Sequence, residues 1–228
     1  MNHNVFYTYS NLGYLNDLVS GQLWFSPTRE YNDIFEDTIF VQGEDKARKA
    51  TIRKVHSWLD SRVVRCFTPI ATNSLMWAHY ADSHRGVCVG FHRNSIYRAP
   101  QKNIETRSIS AVRYCSSPPM PFVSREPTKT EIDLMAMNVL LTKSNDWAYE
   151  QEFRAFTKNQ ALAEHGGGLI DIGSNAVAEI IFGFKVPVET IEEFSESLTT
   201  PLPCKQVRKD HRGITYDLDM LTHVFGKK

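Results

Sequence analysis

Apolar and polar positions along this chain recur with two periods, and the switches between them mark out its elements. Residues 5–9 (VFYTY) read as a strand. Ser10 then caps a short helix carrying Leu12, Leu15, Leu18 and Val19, which Gly21 stops. Residues 23–26 (LWFS) give the next strand, and Pro27 to Asp33 is turn chemistry. From Glu44 to Arg62 the period lengthens, placing Ile52, Val55, Trp58 and Leu59 on one helical face. A strand over 63–70, a short helix over 72–81 and a strand over 86–91 (GVCVGF) follow. Beyond them the pattern predicts a strand over 109–114, a proline-rich loop over 115–127 and a helix over 128–144 with Ile132, Met135, Val139 and Leu140 in register. Strands at 152–157, 168–172 and 179–183, a helix at 187–198, and closing strands near 205–209 and 214–217 complete the chain.

Strands and helices mix without regular βαβ alternation and without an internal repeat. The pattern predicts one α+β domain over residues 1–228, with a mostly antiparallel two-sheet core and flanking helices. A chain of 228 residues buries a core without staples. Lys+Arg and Asp+Glu are both 26, so any contact with nucleic acid must be local rather than spread over the whole surface. The four cysteines, Cys66, Cys88, Cys115 and Cys204, form no C-x-x-C pair. Cys66 and Cys88 sit in strand-like runs, which points to reduced thiols and a reducing, cytoplasmic setting. No secretory signal and no run of 18 apolar residues is visible, so no membrane span is expected.

Four stretches carry candidate chemistry. The run MWAHYADSHRGVCVGFH (76–92) holds three histidines, of which His79 and His84 could ligate zinc with Asp82, yet their spacing matches neither H-E-x-x-H nor any other usual zinc pattern. The expectation is no metal, with His79 and Tyr80 as walls of a binding cleft shared with Ser26 and Asn32. Cys88 lies inside a strand with no elbow around it, which argues for a buried thiol and not a nucleophile. In WAYEQEFRAF (147–156), a strand would put Glu150, Glu152 and Arg154 on one face. The plain alternative is a solvated face with cross-strand ion pairs. The functional one is a cleft floor where a carboxylate grips a substrate hydroxyl and Arg154 balances the charge. Lastly, Ser26, Arg29, Tyr31, Asn32 and Glu36 place hydrogen-bonding groups directly after an apolar strand, where binding loops often sit.

Taken together, Leu23–Glu36, Cys66-Phe67, Met76–Phe91, Trp147–Arg154 and Ile180–Gly183 resemble the hallmark runs of a bacterial family of uncharacterised domains. Ile34 departs from that pattern, where the family has proline. The order of elements is also similar to the ADP-ribosyltransferase fold of the DNA-targeting kind: a first strand with a ring-bearing residue, a short helix, a strand ending in an F-S-P turn, and a glutamate opening a late strand. That resemblance implies a cleft between two small sheets that binds NAD. It implies Glu152 as the carboxylate that bonds the ribose 2′-hydroxyl and opposes the charge of the oxocarbenium-like transition state, with Glu150 as its helper in a Glu-x-Glu pair. It further implies contacts to NAD from Tyr7, Tyr9, Ser26, Arg29, Asn32, Trp77, His79, Tyr80 and Arg154. Tyr7 and Tyr9 stand where His or Arg is commoner in that fold.

The leading expectation is therefore an NAD-dependent ADP-ribosyltransferase, in the manner of a bacterial toxin or phage-defence effector, acting on a nucleic-acid or protein acceptor. Two others stay open: a metal-independent hydrolase or nuclease using His79, Glu150 and Glu152, and a non-enzymatic nucleotide-sensing or protein-binding module.

Overall fold

The computed structural model describes residues 4–31, 38–98, 108–209 and 216–220. The architecture is mixed α/β, with several small sheets and flanking helices. The chain forms two compact units, one from residues 1–23, 67–100 and 171–228, the other from 24–66 and 101–170.

The first unit is built on a five-stranded sheet. Its order is Val5–Ser10, Val87–His92, Val177–Phe182, Cys204–Lys209, Tyr216–Met220. Val87–His92 lies antiparallel to both neighbours, pairing Tyr7 with Gly90 on one side and Ile180 with Val89 on the other. It is the most completely buried strand of the unit whose side chains are described, with every residue from Val87 to Phe91 buried. Val177–Phe182 and Cys204–Lys209 run parallel, as the crossover helix Val188–Ser197 between them requires. Phe6, Phe91, Ile180 and Phe182 are fully buried, and Phe67 meets Phe91 edge to face at 6.3 Å.

The second unit holds a three-stranded sheet in the order Arg62–Phe67, Phe153–Lys158, Ser108–Ala111. Two helices pack on it. Val55 and Leu59 of Asp45–Asp60 meet Ile132, Ala136, Val139 and Leu140 of Lys129–Leu140, with Val64 and Phe156 of the sheet beneath. A capping box starts the second helix: the Thr128 side chain accepts from the Glu131 backbone N–H, and the Glu131 carboxylate accepts from the Thr128 N–H at 2.7 Å.

Several boundaries differ from the sequence pattern. Ser10 ends the first strand and Asn11, not Ser10, caps the turn that follows, its side chain accepting from the Gly13 N–H. The expected strand over 63–70 ends at Phe67. The expected strand over 109–114 is two strands. Val112 turns away to donate to the Glu152 carbonyl at 2.9 Å, and Arg113–Cys115 then pairs in parallel with Thr142–Ser144. The expected helix over 128–144 ends at Leu140 for the same reason: Leu141 carries the chain into Thr142–Ser144. Among the described residues, no helix is long and apolar enough to cross a membrane. Cys88 and Cys204 are buried, Cys66 and Cys115 half-buried, and all four are free thiols.

Candidate functional site

The chemistry-bearing residues of WAYEQEFRAF converge in the second unit. A 3₁₀ turn over Asn145–Glu150 ends at Gln151, whose φ of 47° is left-handed, and Phe153–Lys158 begins two residues on. Glu150 and Glu152 are thus not two residues of one strand, as the spacing suggests. The kink at Gln151 still brings both carboxylates to one cation. Lys143 Nζ donates to Glu150 Oε2 at 2.8 Å and to Glu152 Oε2 at 3.3 Å.

Arg154, fully buried, completes the group. Its Nε donates to Glu152 Oε1 at 2.7 Å and its Nη2 to Glu152 Oε2 at 3.2 Å, a forked contact. Its Nη1 donates to the Leu140 carbonyl at 2.6 Å, which ties the fork to the end of the helix above. The Glu152 N–H donates to the Tyr114 hydroxyl at 2.7 Å. Two rings border the cations: Trp147 lies 4.8 Å from Lys143 Nζ and Tyr31 lies 5.0 Å from the Arg154 guanidinium. The four charged side chains are each 5% exposed or less, and their two positive and two negative charges balance.

Burial alone would raise the Glu152 carboxyl. The charge of Arg154, its hydrogen bonds and the charge of Lys143 outweigh that and hold it down at about 2. Burial is the main cause that pushes the Tyr114 phenol up, so it stays protonated. The result is a carboxylate that stays ionised across the physiological range in a fixed, water-poor setting. Both of its oxygens are taken up by Lys143 and Arg154, so a substrate cation would reach this carboxylate by displacing one of them. The plain alternative raised by the sequence, a solvated face of ion pairs, does not describe it, since the cluster is buried. Arg154 grips Glu152 and the main chain, which is a positioning role.

The other residues singled out by sequence fall as follows. In the first unit, Tyr7 donates to Glu179 Oε1 at 2.6 Å, and Glu179 is ion-paired with Lys205. Burial first, then this bond, raises the Tyr7 phenol. Tyr9 is buried, donates to the Ile70 carbonyl at 2.9 Å and stands edge to face with Trp77 at 5.2 Å. Trp77 corrects an expectation: it is fully buried, with its indole N–H spent on the Ala71 carbonyl at 2.8 Å, so it offers no face to a ligand. A tryptophan beside a histidine on a short helix reads equally as wall or core, and here its volume fills the core.

His79 is exposed and Tyr80 half-exposed, rings 6.1 Å apart, and both line an open pocket of about 890 Å³ with Asp82, Arg85 and Lys185. The pocket edge is backbone under strain. Asp82, Ser83 and His84 hold φ values of 44°, 52° and 72°, three consecutive left-handed non-glycine residues. Two close approaches lock this turn. A Cβ on Gly86 would stand 2.2 Å from the Ser10 carbonyl oxygen, and one on Gly183 would stand 2.2 Å from that of His84. Lys185 Nζ also donates to the Ser83 carbonyl at 3.0 Å.

Ser26 and Arg29 belong to the second unit. Ser26 exchanges backbone hydrogen bonds with Val64 at 3.0 and 2.8 Å, and Arg29 donates to the Ala163 carbonyl at 2.7 Å. Asn32 lies outside the described residues. Among the described residues, no group of three or more His, Cys, Asp and Glu is placed to hold a metal ion. Lys143 and Tyr114 were not singled out by sequence. A lone lysine closing an apolar run (VLLTK) is the one signal that could have flagged Lys143.

Comparison with known proteins gives one match. Residues 76–155 fit the model of a family described as "Protein of unknown function (DUF2971)", a stretch that contains both His79-Tyr80 and the Glu150–Arg154 cluster. No curated protein and no solved structure matches the chain.

Proposed function

We propose that the protein is an NAD-dependent ADP-ribosyltransferase in which Glu152 opposes the positive charge that develops on the ribose as the nicotinamide bond breaks. The observation that carries this reading is the state and place of Glu152. It is an ionised, rigidly held carboxylate at the entry to the central strand of a small sheet, separate from the sheet that holds the first strand and Tyr7. A fixed negative charge is most effective against charge that exists only in the transition state. Glu150 shares Lys143 with it and acts as its helper, and the aromatic neighbours Trp147 and Tyr31 exclude water from the pair.

Because the cluster is buried, neutralising Glu152 alone would leave an unbalanced charge. The test therefore uses two charge-balanced double variants, Lys143→Met/Glu152→Gln and Lys143→Met/Glu150→Gln. Both lack Lys143 and one carboxylate, and only the first lacks the proposed catalytic charge. Nicotinamide release from NAD is measured for each, with NAD affinity in parallel and folding checked by circular dichroism. The first should lose about 10²–10³-fold in turnover relative to the second, with NAD binding retained. Equal turnover in the two removes Glu152 as the catalytic residue, and a wild type that neither binds nor consumes NAD removes the transferase reading. A second reading, a nucleotide-sensing module, is favoured by the open pocket at His79, Tyr80, Arg85 and Lys185. It predicts NAD or nucleotide binding without product.

A further inference from the structure

The chain as a whole carries no net charge, but its charge is not evenly spread. One face of the second unit forms an open trough of about 650 Å³ along the helix Asp45–Asp60. Five cations line it, Arg53, Lys54, Arg62, Lys129 and Lys158, against two carboxylates, Glu126 and Asp133. Lys54 pairs with Glu126 at 2.5 Å and Lys129 with Asp133 at 2.9 Å. Arg53 and Lys158 are exposed, and neither makes an ion pair among the described residues. The local field is strong enough that Glu126, though exposed, is pulled below the usual carboxylate range by Lys54, with Lys46 and Arg53 adding to it.

The shape of this face narrows the choice of partner. Ala50 and Ser57 of the helix and Ser61 at its C-cap fall on one stripe and leave its floor low, while the long cations line it. From Ala50 to Ser61 the stripe runs about 16 Å at 1.5 Å per residue. That length takes up to about five nucleotides of a strand stacked at 3.4 Å per step, and fewer of an extended one. The exposed Ser57 hydroxyl adds a neutral polar group to the floor, while the buried Ser61 hydroxyl donates to the Trp58 carbonyl at 2.8 Å and accepts from Arg62 at 2.9 Å. At the end of the stripe the Arg62 guanidinium lies 3.3 Å over the Trp58 ring and donates to the Trp58 carbonyl at 2.7 Å, a planar cation held in place before any ligand arrives. A recessed channel with rim cations, an exposed hydroxyl and a fixed planar cation suits a phosphodiester chain. A membrane would meet a convex basic face better than a recessed one, and an acidic peptide would not call on the ring and guanidinium stack.

We propose that this trough binds the backbone of a single-stranded nucleic acid. The inference stands on the charge and shape of the face and does not depend on the transferase reading. If both hold, the trough identifies the macromolecular acceptor as a nucleic acid. The test is fluorescence anisotropy with a labelled single-stranded 20-mer DNA and the RNA of the same sequence, titrated at 50 to 300 mM salt. Polyglutamate of similar length serves as competitor. With three to five phosphates engaged, the slope of log K against log salt should lie between about −2 and −3.5. The variant Arg53→Glu/Lys158→Glu should weaken binding at least tenfold at 100 mM salt and flatten the slope by about 1.4. A matched control, Arg93→Glu/Arg208→Glu, changes the net charge equally on the other unit and should bind like the wild type. Absence of binding to either strand overturns the proposal. So does an unchanged affinity and slope in the trough variant, an equal loss in the control, or displacement by polyglutamate at the same concentration of charge.

Discussion

Replacing Lys143 by Met tests the charge balance of the buried cluster directly. The methionine keeps the length and apolar stem of the lysine and removes only the ammonium. Two carboxylates then face one guanidinium, leaving a net negative charge among side chains that are 5% exposed or less. Lys143 Nζ stands 2.8 Å from Glu150 and 3.3 Å from Glu152, so both lose a partner at once. Removing one member of a buried ion group typically costs about 3–5 kcal/mol, because the charge left behind is poorly solvated. For a chain of this size that lowers the melting temperature by about 6–20 °C. Urea unfolding at pH 7 measures the loss, and the fluorescence of Trp147, 4.8 Å from the ammonium it would lose, reports the local change. The variant Lys143→Met/Glu150→Gln restores neutrality and should recover at least half of the deficit.

The pH dependence adds a second readout. In the wild type, Glu152 titrates at about 2, below its ordinary value of 4.5, so its folded pKa is depressed. Its contribution, roughly 3 kcal/mol, is present above about pH 4.5 and is lost as pH falls toward 2. In the single variant a carboxyl relieves the excess charge by taking up a proton, so its folded pKa is raised and its penalty shrinks as pH falls. The two unfolding curves should therefore converge between pH 7 and pH 4. A Lys143→Met protein within 1 kcal/mol of wild type at pH 7 would refute the reasoning, as would a double variant no more stable than the single.

Two further substitutions probe how the sites are held. Gly86→Ala should destabilise the first unit by more than 2 kcal/mol, since its Cβ would stand 2.2 Å from the Ser10 carbonyl oxygen and 2.8 Å from the Ala81 carbonyl carbon; chemical denaturation measures it, and a neutral effect would mean that the strained turn is not pinned there. Thr128→Ala removes one half of a capping box and should cost about 1 kcal/mol in the same assay, with the loss traced by hydrogen exchange to the first turn of Lys129–Leu140.

Periodicity located most elements because their burial follows from local pattern. Val87–His92 was visible as a continuous apolar run, and Asp45–Asp60 and Lys129–Leu140 as single apolar faces. The sequence also drew attention to Glu150, Glu152 and Arg154 as a group. Their partners were not legible. Lys143 was assigned to the end of a helix because VLLTK continues a helical pattern, whereas pairing with Arg113–Cys115 pulls it into a strand. Tyr114 sits in a stretch that read as one strand and is two. Trp77 shows the opposite limit: residue type cannot separate a wall from a core when the helix carrying it is only seven residues long.

The place of Val87–His92 in its sheet has a consequence for biosynthesis. Both of its edges are paired, one by Val5–Ser10 and the other by Val177–Phe182. The first partner is already made when the strand emerges, but the second follows after 85 more residues, counting from His92 to Val177. At roughly 5–20 residues per second this is a wait of about 4–17 s. Throughout it, an apolar strand destined for the middle of the sheet presents an open row of N–H and C=O groups, the kind of edge that recruits any other unpaired strand. The yield of correctly made protein should thus depend on what shields the nascent chain in that interval, and slowing translation between His92 and Val177 would lengthen the exposure in proportion.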